Sequence, residues 1–202
     1  MKFAFLDWSS RRNQIFYLYK EDLFMARNNR IVIYCRLAYL NCWKPAQMYG
    51  KQNYSLVALV NKDDQQTVNL LRSTIESVRQ QSVSKWGNAL LSGSKSPLHD
   101  GDIEKPDNPI FKNCYYLNAK CKEPPQIVDQ NVQPITNPEL VYSGCFANIS
   151  LIFYPFNYGA NKGIGVWLGN IQLVKSGSRI VSRITAQEDF QPVSYTELLE
   201  VK

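Results

Sequence analysis

The clearest pattern in the chain lies near its end, where two alternating stretches flank a short glycine-containing turn. Between positions 145 and 154, Cys145, Ala147, Ile149, Leu151 and Phe153 fall on one side of an extended strand, and Phe146, Asn148, Ser150, Ile152 and Tyr154 on the other. The first set can fill a core. The second mixes rings with small polar groups and suits flat, polar partners. Phe156, Tyr158, Lys162 and Trp167 follow, and Ile164, Val166 and Leu168 alternate with Gly165, Trp167 and Gly169. Strands are therefore expected at 143–155 and 163–174, with the glycines leaving the Trp167 ring uncovered for another backbone or a base.

Earlier in the chain, 30–39 alternates Ile31, Ile33, Cys35 and Leu37 with Arg30, Val32, Tyr34 and Arg36, which predicts a first strand. Residues 41–50, with Pro45 and Gly50, read as a loop, and 54–60 as a second strand. Asp63 and Gln66 then suggest a capping box, and Val68, Leu71, Ile75 and Val78 recur at helical spacing, a core-packing stripe that stops near Lys85, Trp86 and Gly87. Positions 88–109 are polar and turn-rich and read as a long surface loop. Residues 111–122 form a third strand. One of its sides carries Lys112, Cys114, Tyr116, Asn118, Lys120 and Lys122, a basic stripe interleaved with a ring. Pro124 and Pro125 end it.

Five strands, one principal helix and long loops fit a five-stranded antiparallel barrel of the oligonucleotide/oligosaccharide-binding (OB) type. A mixed α+β sheet covered by a helix is the alternative. At 202 residues and 45% apolar content, the chain holds one ordinary core. It has no apolar run that would span a bilayer and no secretory signal pattern, which places it in a cytoplasm. Residues 1–24 lack a period and are crowded with rings. Lys20-Glu21-Asp22 can be encoded as a ribosome-binding sequence ahead of Met25, so 1–24 is expected to be a translated leader or N-terminal extension and 25–184 the barrel domain.

The net charge of +6 favours an anionic partner. The tail, 185–202, runs the other way, with Glu188, Asp189, Glu197 and Glu200 against Lys202 and a net of about −3. Cys35, Cys42, Cys114, Cys121 and Cys145 are odd in number and wrongly spaced for zinc, and read as inert strand cysteines. His99, Asp100, Asp102, Glu104 and Asp107 crowd one loop and could be offered as a nuclease metal site. Asn118 stands where a second metal-holding carboxylate would be needed. No phosphate loop is present, and a nucleophile would have a single histidine to serve as its base. The expectation is a binder with no catalytic residues, no metal and no cofactor.

Several blocks, in order, resemble a phage family formerly known only as a domain of unknown function. Its characterised members are single-stranded DNA-binding proteins, similar in barrel to those of short-tailed phages. The blocks are YSLVALVNKDD at 54–64, KWG at 85–87, PLHDGD at 97–102 with KPD at 105–107, QIVDQNVQP at 126–134, YSGCFANISLIFYPF at 142–156, NKGIGVWLGNIQ at 161–172 and TAQEDF at 185–190. The resemblance implies an OB barrel, a cooperative or homo-oligomeric binder of single-stranded DNA, a role in phage replication or recombination, and replication proteins such as polymerase or helicase as further partners. The tail departs from the strongly acidic, aromatic-ended tails of the short-tailed phage proteins, which puts recruitment through it in doubt.

Read from the residues, the expected DNA face is Lys112, Tyr116, Lys120, Lys122, Phe146, Tyr154 and Trp167. Arg36, Tyr39, Lys162, Arg179 and Arg183 are further candidates whose side of the barrel the sequence leaves open. A protein-interaction or assembly module using the same rings is the competing function, and a metal-dependent nuclease the third.

Overall fold

The computed structural model describes residues 29–48, 50–90, 93–158, 160–180 and 190–192. The expected leader, most of the expected tail and the candidate Arg183 lie outside the described residues. In chain order the strands are β1 (Arg30–Met48), β2 (Lys51–Asn61), β3 (His99–Asp100), β4 (Cys114–Cys121), β5 (Ile127–Val128), β6 (Phe146–Tyr158) and β7 (Asn161–Lys175). The principal helix is α1 (Gln65–Gln81), followed by single turns α2 (Val83–Trp86) and α3 (Gly101–Glu104).

Antiparallel pairing runs β4-β2-β1-β6-β7, and a parallel bridge between Lys120 of β4 and Trp167 of β7 joins the two ends. This closes a five-stranded barrel of OB type and leaves the mixed-sheet alternative aside. Closure removes the open edges that an antiparallel sheet would otherwise present. The short β3 and β5 flank it on β4 and β7.

Period-two alternation decides what lies inside. Leu37, Leu56, Leu117, Ile149, Leu151, Phe153 and Ile171 are fully buried. Val68, Leu71, Ile75 and Val78 of α1 join the same core, as their spacing predicts. Each such side chain contributes about 1.5–3 kcal/mol relative to exposure. A smaller cluster of Ala38, Leu59, Phe111 and Tyr116 forms on the outer wall of β1, β2 and β4, where residues 99–113 roof it.

Three local expectations change. Residues 41–48 are not a loop but the outer half of β1, paired with Lys51, Gln52 and Asn53 in a hairpin arm. The register shifts between Ala38 and Asn41 and again between Asn41 and Ala46, so alternation breaks and Pro45 falls where no regular ladder bond is required. The third strand begins at Cys114 rather than at 111, because Pro109–Phe111 coils into a 3-10 turn and Asn113 takes a left-handed φ of 54°. The cap of α1 is Asp64, whose carboxylate accepts from the Thr67 N–H at 3.1 Å. Asp63 is instead held by the Asn113 side-chain amide at 3.0 Å.

Candidate nucleic-acid interface

Registers across the barrel place one row of outward side chains side by side. Ser55 pairs with Lys120, Lys120 with Trp167, Trp167 with Ile152, and Ile152 with Arg30, crossing β2, β4, β7, β6 and β1. At the usual spacing between strands this row spans about 19 Å. Trp167 is the exposed ring in it, at 46%. Tyr154, two residues along β6 from Ile152, stacks on Trp167 with centroids 4.4 Å apart and planes 28° from parallel.

The glycines build that pair from within. A Cβ on Gly165 would lie 2.3 Å from the Tyr154 ring, so Tyr154 lies across β7 at Gly165 and stacks on Trp167. The Gly163 position is filled by the Lys95 backbone and Gly169 by the Ser150 hydroxyl. The Trp167 ring is uncovered, at 46% exposure, while the space over the glycines is taken by the chain's own groups. These glycines let the chain's own groups approach, and Tyr154 braces the exposed Trp167 ring. Burial pushes the Tyr154 phenol above its ordinary value, so it stays a neutral ring. Lys120 and Lys122 are exposed beside the pair and make no ion pair among the described residues.

A second group collects at the other end of β6. Phe146 is half-buried and stacks with Tyr34 of β1 at 5.9 Å and 13°. Lys175 and Arg36, the cross-strand partners of Phe146 on β7 and β1, lie over its ring at 4.8 and 5.9 Å. The Arg36 guanidinium donates to the Ser178 carbonyl at 2.9 Å. Next in the chain, Arg179 covers the Tyr142 ring at 4.0 Å and pairs with Glu139 at 3.2 Å.

The remaining candidates stand elsewhere. Tyr116 occupies the outward row of β4 but is 6% exposed. Its ring lies against His99 at 4.8 Å and edge-on to Phe111 at 4.8 Å, and its hydroxyl donates to Glu104 at 3.0 Å. Burial first and Glu104 second push its phenol up to about 12. That ring cannot receive a base. Tyr39 sits at the β1 bulge with φ 47°, stacked on Phe111 and bonded to Asn108. Lys112 lies before β4, close enough to Asp102 to help lower its pKa. Both belong to the roof, not to the ring face. Lys162 shares the row of Ile164 and Val166, so it leaves β7 on the opposite side from Trp167. Sequence reasoning missed Tyr34 as a stacking partner and Lys175 as a cation, though the parity of Tyr34 with Arg36 was visible.

Four of the five loop groups, Asp107 excepted, are engaged internally. Lys62 holds Asp100 at 2.5 Å and Asp102 at 2.7 Å, while Glu104 engages both His99 and Tyr116. Among the described residues no three potential ligands converge as a metal site. The cysteines are free, with Cys35, Cys42 and Cys145 buried, and burial pushes the Cys42 thiol up to about 12.

Barrel order and closure, with rings and cations along one outer face, define an OB-type barrel. Residues 29–199 match the family described as Enterobacter phage Enc34, ssDNA-binding protein, and the chain belongs to that family. The Putative protein p50 of Acyrthosiphon pisum secondary endosymbiont phage 1 is 26% identical over 175 residues, covering 80% of this chain and 92% of that protein. The single-stranded DNA-binding protein from bacteriophage Enc34 in complex with ssDNA is similar in fold, with TM-score 0.68 at 20% identity over 76% of this chain and 90% of that one. Gp2.5, a single-stranded DNA-binding protein encoded by bacteriophage T7, gives 0.53 at 14% identity over 77% and 97%.

Proposed function

We propose that this protein binds single-stranded DNA for a phage or prophage, protecting it during replication or recombination in the host cytoplasm. The observation that carries the reading is the half-exposed Trp167, braced by Tyr154 and paired in register with Lys120. Bases stack on Tyr154 and Trp167, while Lys120 and Lys122 hold phosphates. Every base has a stackable face, so binding tolerates sequence. Membership of the Enc34 family supports this reading, as does the net charge of +6. Among the described residues no helix is long and apolar enough to cross a membrane.

The function is non-catalytic on this reading. Of the carboxylates a nuclease would draw on, Asp100, Asp102 and Glu104 are committed to Lys62, His99 and Tyr116. A titration of the protein with poly-dT at low salt, followed by tryptophan fluorescence, tests the function. Quenching that is lost on adding salt is expected, with much weaker binding to matched duplex. Unchanged fluorescence together with no shift of the oligonucleotide in a gel would contradict it and favour a protein-interaction module.

A further inference from the structure

Two of the ring platforms on the outer face of β6 lie far apart. Tyr154, paired with Trp167, and Phe146 are separated by eight residues, about 26 Å along a strand. Between them the outward side chains are Asn148, Ser150 and Ile152, none of which offers a ring. The β7 register also shifts between the partners of Ile149 and Leu151. Such a bulge raises local twist between the two platforms.

The Phe146 platform has its own chemistry. Tyr34 lies stacked beside it and is 39% exposed, and neighbouring Val32 is exposed as well. Arg36 is tied to backbone carbonyls, but Lys175 is exposed and free of ion pairs among the described residues. Its ammonium rests on the Phe146 ring, a weak contact that a phosphate can displace. A core aromatic pair would not be left this wet, and a merely solvated basic patch would not be built around two stacked rings.

We propose that Tyr34, Phe146, Arg36 and Lys175 form a second nucleotide-binding station, and that one DNA strand wraps from Trp167 past Ile152, Arg30 and Val32 to reach it. The inference rests on the single-stranded DNA-binding reading above. A single strand occupying both stations binds the second intramolecularly, so affinity climbs once the strand is long enough to bridge them. At about 3.4 Å per stacked nucleotide the bridge takes about eight nucleotides, and fewer if the backbone extends.

The test is an anisotropy titration of the full chain with end-labelled oligothymidylates from about four to about sixteen nucleotides. Trp167→Ala is expected to weaken binding by a similar factor at every length. Phe146→Ala, Tyr34→Ala and Lys175→Ala are expected to show a penalty that grows with length, reaching roughly fivefold or more on the longest strands. Lys175 is exposed, so its variant reports even if loss of Phe146 disturbs packing. A penalty in all three variants that is absent at every length, or equal at every length, would overturn the second station while leaving the DNA-binding function intact. Failure of the unaltered protein to bind at any length would overturn both.

Discussion

Trp167 matters because its neighbours on both sides are small. Gly165 admits the Tyr154 ring, and that ring braces the exposed indole. Trp167→Ala is expected to lower affinity for oligothymidylate by about 1–3 kcal/mol with little change in salt dependence, as measured by titrations at several salt concentrations. Lys120→Ala should act differently, weakening binding to every sequence and reducing the log–log salt slope by about 0.7. An unaltered slope would remove Lys120 from the phosphate path. Parity along β7 made the outward placement of Trp167 legible in the sequence, and the same parity puts Lys162 on the opposite side. Tyr116 shares the parity of Lys120 yet is lost to the interface, because His99, Glu104 and Phe111 arrive over it from a distant loop. Alternation reports which side a residue leaves from, not what covers it.

Tyr116 has a thermodynamic signature of its own. Its phenol is raised from 10.0 to about 12 by burial and Glu104. Above pH 10 the unfolded chain gives up this proton first, so the folded state binds more protons there. The contribution is fully present below pH 10 and is lost as pH rises through about 12. Urea midpoints measured from pH 8 upward should fall across that window, and Tyr116→Phe should flatten part of the fall.

At the scale of elements, the helix was read almost to its true bounds because its apolar period is unbroken. Its cap was misplaced by one residue, since Asp63 and Asp64 are both acceptable caps and only the tertiary bond from Asn113 to Asp63 decides between them. Asp64→Ala is therefore expected to cost about 1 kcal/mol in chemical denaturation, and Asp63→Ala to lack that capping loss. The β1 arm was unreadable for a related reason, because bulges at Tyr39 and Asn41 erase the alternation that identifies a strand. The roof over the outer wall depends on Lys62 and its two carboxylates. Lys62 first, then the Asn113 N–H, holds the Asp102 carboxyl below its ordinary value of 3.8. Its contribution is present above that pH and is lost as pH falls through the lowered value. Hydrogen exchange at 99–113 should accelerate relative to the barrel strands as pH falls below 3.8, after correction for intrinsic rates, and not at pH 6.

For the molecule as a whole, five strands with a single helix made an OB-type barrel readable before any contact was known. The closure itself was not readable. It depends on Lys120 meeting Trp167 across strands that lie 47 positions apart in the chain, a pairing no local pattern encodes. That one bridge also brings the basic stripe of β4 to the rings of β6 and β7, so fold closure and the proposed binding face arise together. The central claim is that a single DNA strand lies on this seam. Photocrosslinking of oligothymidylate carrying halogenated uracil, followed by mass-spectrometric mapping, tests it most directly. The account predicts crosslinked peptides containing Trp167 and Tyr154, lost in Trp167→Ala for the first of them. Crosslinks confined to α1 or to the 99–113 roof, with none on β6 or β7, would contradict it.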